Sequence, residues 1–209
     1  MLRILIADDH AIIRKGLKLI LLEDYPSAFI AEVGDAEGVL KKVSSSEWDI
    51  IICDISMPGR SGLDVIQNLK QNFPKLPVLI LSIHPEKQYA IRALKAGAAG
   101  YLSKDSAVDE LAKAVQKILL GRKYISSSIA EKMSRELDVD YNKLPHEFLS
   151  DREFHVFMLI GEGKGISEIA ESLSLSVTTV STYRARILTK MGMKSNAELI
   201  KYAVAAKLL

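Results

Sequence analysis

Residues 49–62 read Asp49-Ile50-Ile51-Ile52-Cys53-Asp54-Ile55-Ser56-Met57-Pro58-Gly59-Arg60-Ser61-Gly62, and the fold turns on how they are read. Ile50 to Cys53 is a short continuous apolar run, the mark of a strand buried on both faces, and it stops at a carboxylate, Asp54. In an open parallel sheet the carboxyl edge of the strands is where ligands collect. Met57-Pro58-Gly59 opposes continuation as strand or immediate entry into helix, so Asp54 is expected at the lip of a loop rather than inside an element. Taken alone, Asp54 would be a turn or helix-capping aspartate. Its neighbours along the same edge argue for more.

Outward from this run, strand patterns occupy Leu2–Ala7, Phe29–Val33, Pro77–Leu81 (closing at Ser82) and Ala99–Leu102 (closing at Ser103-Lys104). Helical spacing of apolar residues marks Ala11–Leu22, Glu37–Val43, Leu63–Gln71, Ala90–Lys95 and Val108–Leu120, the last stopped by Gly121. Five strand–helix alternations in this span predict an α/β unit with a doubly wound parallel sheet and right-handed crossovers.

That topology brings Asp8 and Asp9, Asp54, Ser82 and Lys104 to one edge, at the ends of strands one, three, four and five. Carboxylates converging in a crevice repel by about 4 kcal/mol per pair at about 4 Å and an intermediate dielectric, so a cation must offset them. Hard oxygen donors suit Mg²⁺, which takes one or two carboxylates, keeps waters and shares itself with a phosphate. A hydroxyl and a lysine beside it complete a cradle for a phosphoryl group, with Asp54 as nucleophile and Lys104 as fixed counter-charge. Individually, Asp8 and Asp9 could be helix caps, Lys104 a solvated loop lysine and Ser82 a strand-end hydroxyl. Their convergence favours the phosphoryl site.

The chain has 209 residues, room for one large or two modest domains, and its 48% hydrophobic and 6% aromatic content suits an aliphatic α/β interior and excludes a disordered chain. A net charge of +2 is too small to argue for nucleic acid, so any basic surface must be local. The one cysteine, Cys53, cannot form an intramolecular disulfide and reads as a core residue. No apolar segment reaches membrane-spanning length, and Asp8-Asp9 interrupts any signal-peptide pattern, so a cytoplasmic protein without membrane contact is expected.

From Arg122 to Pro145 the pattern loosens into a linker, with Ile129, Met133 and Leu137 spaced for a short helix and residues 138–145 as the flexible point. From His146 the pattern is all helical. Ser150 and Glu153 form a capping box opening a helix whose buried face includes Phe154, Phe157, Met158 and Ile160. Gly161-Glu162-Gly163-Lys164-Gly165 ends it, and Ser167 is expected to cap a short second helix. A third helix spans Val177–Met191, and Ser195 opens a fourth that reaches Lys207. A short helix, tight connection and longer helix fit a helix-turn-helix, whose second member enters the DNA major groove. On that helix Arg184, Arg186 and Lys190 read as unopposed by any acid, although such bases are often only a solvated face.

Residues 1–121 closely resemble the receiver domains of two-component response regulators, a five-stranded flavodoxin/CheY-like fold. The resemblance rests on Asp8-Asp9, the segment Asp54-Ile55-Ser56-Met57-Pro58-Gly59, Ser82, and Gly100-Tyr101-Leu102-Ser103-Lys104. It implies phosphorylation of Asp54 by a histidine kinase, with Asp8, Asp9, Asp54 and the main-chain carbonyl of Ser56 around Mg²⁺. It also implies a coupled switch in which the Ser82 hydroxyl moves toward the phosphoryl group and the Tyr101 ring turns inward. Ser56 and His84 hold positions that tune phosphoryl lifetime in that family. Asp105 stands where many receivers have proline.

Within an expected domain at 146–209, residues Phe148 to about Leu208 resemble the four-helix, helix-turn-helix DNA-binding domain of NarL/FixJ (LuxR-type) regulators. Here the matching segments are Leu149-Ser150-Asp151-Arg152-Glu153, Gly161-Glu162-Gly163-Lys164, Glu168-Ile169-Ala170 and Leu175-Ser176-Val177-Thr178-Thr179-Val180. Ser181 and Tyr183 replace the family's usual lysine and histidine. By family position Ser181, Thr182 and Ala185 lie nearest base edges, Ala185 offering only apolar contact. Thr179, Tyr183, Arg184 and Lys190 contact backbone, with Lys164 a weaker candidate. The implied partners are a sensor histidine kinase, double-stranded promoter DNA, a second copy of the chain on activation, and RNA polymerase. Catalysis would be limited to the receiver assisting its own phosphorylation and dephosphorylation. Two rival readings are a phosphatase or phosphotransferase acting on small molecules, and a phosphorylation-independent regulator that uses the receiver to dimerise. Against the first stands the lack of any substantial insertion to cap the crevice. Against the second stands the intact acidic set.

Overall fold

Strands β1 (Arg3–Ala7), β2 (Phe29–Val33), β3 (Ile50–Asp54), β4 (Val78–Ser82) and β5 (Gly100–Ser103) form one parallel sheet in the order β2-β1-β3-β4-β5. The structure is a computed structural model and describes residues 1–57, 62–84, 86–126, 129–131 and 144–209. Two compact units divide the chain, Met1–Arg135 and Glu136–Leu209.

The interleaved helices of the first unit are α1 (Ala11–Asp24), α2 (Ala36–Ser45), α3 (Gly62–Asn72), α4 (Glu86–Ala96) and α5 (Ala107–Leu119). Every residue of β3 and β4 is buried, which is why the sequence shows aliphatic runs there instead of alternation. The pleat still sorts them. Ile4, Ile6, Ile50, Ile52, Leu79, Leu81 and Leu102 pack with Leu17 and Leu21 of α1 and Leu111, Val115 and Ile118 of α5. Each such side chain contributes about 1.5–3 kcal/mol by leaving water.

The strand order reverses at β1, whose neighbours are β2 and β3, so a crevice opens between the carboxyl ends of β1 and β3. Asp54 is the last residue of β3, paired with Leu81, and this corrects its expected place in a loop. The ladder to β4 extends one pair beyond Cys53 before the chain turns. Gly62 then donates its N–H to the Ile55 carbonyl at 2.8 Å, and a Cβ there would collide with the Asp54 carbonyl oxygen. Pro58 to Ser61 lie outside the described residues.

Gly121, at φ +75°, closes α5 as the sequence expected. The chain does not leave the sheet at once. Tyr124 bridges Gly100 in parallel: its N–H donates to the Ala99 carbonyl at 3.0 Å, and its own carbonyl accepts from Tyr101 N–H at 3.2 Å. The start of the expected linker thus covers the open edge of β5. Residues 129–131 are helical and Ile129 is buried. Met133, Leu137 and most of the expected flexible point lie outside the described residues, and Pro145–Phe148 forms a 3₁₀ turn.

The second unit consists of α6 (Asp151–Gly161), α7 (Ile166–Ser172), α8 (Val177–Met191) and α9 (Asn196–Ala205). The capping box at Ser150 forms, with Glu153 Oε2 accepting from Ser150 N–H at 2.8 Å. Helix α6 is buried from Glu153 through Gly161 on all sides, not on one face, because α7, α8 and α9 all pack against it. Ser167 does not cap α7. Gly165 does, because the Glu168 carboxylate three residues on accepts its N–H at 2.6 Å. Ser176 caps α8 through Thr179 N–H at 3.0 Å, and α9 stops at Ala205, two residues short of the expected end at Lys207.

Candidate functional site

At the crevice, Asp8 is 1% and Asp54 2% exposed, while Asp9 lies open to solvent. Neither Asp8 nor Asp9 caps α1: the cap residue is His10, with no side-chain capping bond, and Asp8 Oδ1 accepts the His10 N–H at 2.8 Å. Both carboxylates therefore remain at the sheet edge. Lys104, just past β5, places its Nζ 2.6 Å from Asp8 Oδ2 and 3.0 Å from Asp54 Oδ2. The lysine thus takes one oxygen of each buried acid. Asp54 Oδ1, also buried, has no hydrogen-bond partner among the described residues.

Burial pushes the Asp54 carboxyl above its ordinary range, against the opposing pull of Lys104 and a hydrogen bond from Ser56 N–H. Burial alone would lower Lys104, but the charges and hydrogen bonds of Asp54 and Asp8 outweigh it and raise it, so the lysine stays cationic. One ligand atom from each of Asp8, Asp9, His10 and Asp54 lies within 4.8 Å of the others, a donor set that could hold a cation. Sequence reasoning passed over His10, although its place directly after the acid pair could have flagged it. Cys53, fully buried, has its thiol pushed far upward by burial and by Asp54 and Asp8, which fits an inert core group.

Ser82 and Tyr101 are both buried and meet through His84. The His84 N–H donates to Ser82 Oγ at 3.1 Å, and the Tyr101 hydroxyl donates to the His84 carbonyl at 2.8 Å. The His84 ring hydrogen-bonds Ser56 Oγ at 2.8 Å and stacks on Tyr89 of α4, with centroids 4.5 Å apart. Tyr101 is therefore turned inward, 1% exposed, with its phenol pushed upward chiefly by burial.

In the second unit, α7, the connection through Ser174 (φ +52°) and α8 make the expected helix-turn-helix. Ser181, Thr182, Ala185 and Arg186 are exposed on α8, whereas Thr179, Tyr183 and Arg184 are half-buried. Thr182 Oγ1 donates back to the Thr178 carbonyl at 2.9 Å. The expectation that the α8 bases are unopposed needs correcting at Lys190. Its Nζ lies 2.6 Å from Glu153 Oε2, and Glu153 is 3% exposed. Glu153 is spent on α8 as well as on its own cap, which a reading along the sequence could not show. Burial pushes Glu153 upward, but Lys190 and Ser150 hold it below the ordinary glutamate range. Arg184 Nε donates to Asn196 Oδ1 of α9 at 2.6 Å, and Lys164 pairs with Glu162 at 3.0 Å on the surface.

The response regulator receiver domain family matches residues 4–116, and the luxR family of bacterial regulatory proteins matches residues 147–203. Oxygen regulatory protein NreC of Staphylococcus epidermidis is 35% identical over 216 residues, covering 100% of this chain and 99% of that protein. The chain belongs to the NarL/FixJ family of two-component response regulators. The response regulator UvrY of Escherichia coli K12 is 31% identical over 205 residues, covering 98% of this chain and 94% of that protein. Among solved structures, RcsB of Salmonella enterica serovar Typhimurium, bound to promoter rprA in the presence of a beryllofluoride phosphomimetic, superposes with a TM-score of 0.65 at 26% identity. The match covers 97% of this chain and 98% of that one. This response regulator thus couples a receiver to a LuxR-type helix-turn-helix DNA-binding domain and works in transcription regulation. Its family is one of DNA-binding regulators, which sets aside the small-molecule phosphatase reading.

Proposed function

We propose that Asp54 accepts a phosphoryl group from a sensor histidine kinase in a Mg²⁺-dependent reaction, and that phosphorylation promotes dimerisation and sequence-specific promoter binding. The observation that carries this reading is Asp54 Oδ1, buried and without a partner among the described residues, while Oδ2 is held by Lys104. That oxygen attacks phosphorus as the P–N bond of a phosphohistidine breaks, its electron pair leaving on the imidazole nitrogen and a new P–O bond forming the aspartyl phosphate. Lys104 stays cationic between Asp8 and Asp54 and balances the charge gathered there.

The donors fit Mg²⁺: hard carboxylate oxygens of Asp8, Asp9 and Asp54 cluster within 4.8 Å, and Asp54 Oδ1 has no partner among the described residues. Asp8, Asp9, Asp54 and the Ser56 carbonyl would hold it. It would supply positive charge against the carboxylates and the phosphoryl oxygens. The receiver also assists its own dephosphorylation. Ser82 and Tyr101 form the switch, joined through His84. A receiver at 1–121, a linker at 122–145 and a DNA-binding domain at 146–209 divide the work.

On DNA, Ser181, Thr182 and Ala185 face base edges, while Thr179, Tyr183, Arg184, Lys190 and Lys164 serve the backbone. Lys190 must share its charge with Glu153, so its contribution there is reduced. RcsB bound to promoter DNA in the presence of a phosphomimetic supports DNA binding by a receiver in the phosphorylated state. The regulator acts in the cytoplasm, with RNA polymerase as a further partner.

One observation favours a second reading, in which the receiver acts without phosphorylation: the Tyr101 ring is held inward by its hydroxyl, which donates to the His84 carbonyl at 2.8 Å. Sedimentation and fluorescence anisotropy of the full chain on promoter DNA, with and without beryllofluoride and Mg²⁺, separate the two. The first reading expects tighter, dimeric binding only with the phosphomimetic, and only in a protein that retains Asp54. Equal binding in both states, and by Asp54→Ala, would establish the second.

A further inference from the structure

Lys104 pairs with Oδ2 of both Asp8 and Asp54, and Asp8 Oδ1 accepts the His10 N–H at 2.8 Å. Asp54 Oδ1 has no partner among the described residues, although Asp54 is 2% exposed. The third acid, Asp9, turns its Oδ1 toward an imidazole: His10 Nδ1 lies 2.7 Å from Asp9 Oδ1 and 3.3 Å from Asp8 Oδ1. A nitrogen donor thus sits on the solvent side of the same cluster, its side chain 64% exposed and free to adjust. The backbone fixes it there, because His10 is the extended N-cap of α1. No capping bond ties up the ring.

We propose that His10 is a further ligand of this site, its Nδ1 joining Asp8, Asp9 and Asp54, and that it shifts the site's preference from Mg²⁺ toward first-row transition ions such as Mn²⁺, Co²⁺ and Ni²⁺. The inference deepens the Mg²⁺ reading and rests on it. Oxygen donors alone favour hard ions, whereas imidazole suits transition metals and binds Mg²⁺ poorly. Any carboxylate site gains some affinity along the Mn²⁺-to-Ni²⁺ series, so the distinguishing quantity is the part of the Ni²⁺-to-Mg²⁺ ratio that depends on His10. A replaceable site on the exposed side is also where an ion would otherwise keep water, so the ring displaces solvent and no protein group.

The test is calorimetric titration of the full chain with Mg²⁺ and with Ni²⁺, in the wild type, His10→Ala and His10→Gln. Alongside it, electron spin-echo measurements on bound Mn²⁺ read nitrogen coordination directly. His10→Ala and His10→Gln should lose about tenfold or more in Ni²⁺ affinity and less than about threefold in Mg²⁺ affinity. Nitrogen modulation on Mn²⁺ should vanish in both variants and persist in His84→Ala. An unchanged ratio, or modulation lost with His84 and kept without His10, overturns the assignment and leaves the Mg²⁺ reading standing. Failure of the wild type to bind any divalent ion overturns both.

Discussion

Lys104 Nζ sits 3.0 Å from Asp54 Oδ2, and the other oxygen of that buried carboxylate has no partner among the described residues. One lysine thereby holds the acid in place and leaves its other oxygen without a protein partner among the described residues. The ammonium also lies 2.6 Å from Asp8, so it is shared between two buried charges.

Removing that ammonium should strand both carboxylates. Lys104→Met is expected to destabilise the first unit by about 3–5 kcal/mol at neutral pH, the usual cost of breaking a buried ion pair from one side. Adding Asp8→Asn should return part of the loss, and saturating Mg²⁺ should return more. Urea denaturation followed by circular dichroism, with and without Mg²⁺, measures each term. A Lys104→Met protein as stable as the wild type would show that the pair contributes nothing to folding.

Glu153 makes the second unit acid-sensitive. Its carboxyl is held below the ordinary glutamate range, so its stabilisation is present above that range, about pH 4.3 for a free side chain, and is lost as pH falls through the lower folded value. Melting temperature of the helical unit should fall on acidification below about pH 4, and Glu153→Gln should flatten that fall while lowering stability at neutral pH. Lys190→Ala, which leaves Glu153 its cap bond from Ser150, should cost less, about 1–2 kcal/mol.

Gly100 permits the strap over the sheet edge. A Cβ at that position would stand 2.7 Å from the Tyr124 carbonyl oxygen and 2.9 Å from Tyr124 Cβ. Gly100→Ala should push Tyr124 off β5, costing about 1–3 kcal/mol by overpacking. Hydrogen exchange should then lose protection at the Tyr101 and Tyr124 amides while β1 and β3 keep theirs. The Tyr124 hydroxyl, 2.7 Å from Glu110 and pushed up to about 12 chiefly by burial, should titrate at lower pH in the same variant.

On DNA, Arg184 and Arg186 should behave as phosphate contacts. Alanine at either is expected to weaken binding about equally across sequences and to reduce the salt slope by about one. Asn196→Ala, which frees the Arg184 guanidinium, should give a smaller loss that Arg184→Ala already contains. Thr182→Ala should alter sequence preference with little change in salt slope. Anisotropy titrations over a salt series distinguish these outcomes.

Much of this architecture was legible from period and punctuation. The run at Ile50–Cys53 is too apolar for any half-exposed element, and helix α8 falls at the expected Val177–Met191. Asp8, Asp54 and Lys104 could be placed together because parallel topology sends every strand end to one edge. What stayed hidden were pairings between residues far apart in sequence. Glu153 read as half of a capping box because its second partner, Lys190, lies 37 positions on. The Tyr124 strap was invisible because a single bridged residue carries no periodicity. Residue type makes Ser167 the expected cap, whereas Gly165 with a glutamate three positions on serves instead.

Every later step depends on Asp54 being the phosphoacceptor and on its need for a divalent ion. Intact mass of the full chain after incubation with acetyl phosphate and Mg²⁺ tests both most directly, beside Asp54→Ala and a chelator control. A single phosphoryl adduct is expected on the wild type, absent from Asp54→Ala and lost when Mg²⁺ is chelated. An adduct that survives in Asp54→Ala, or that forms equally well without a divalent ion, would contradict it.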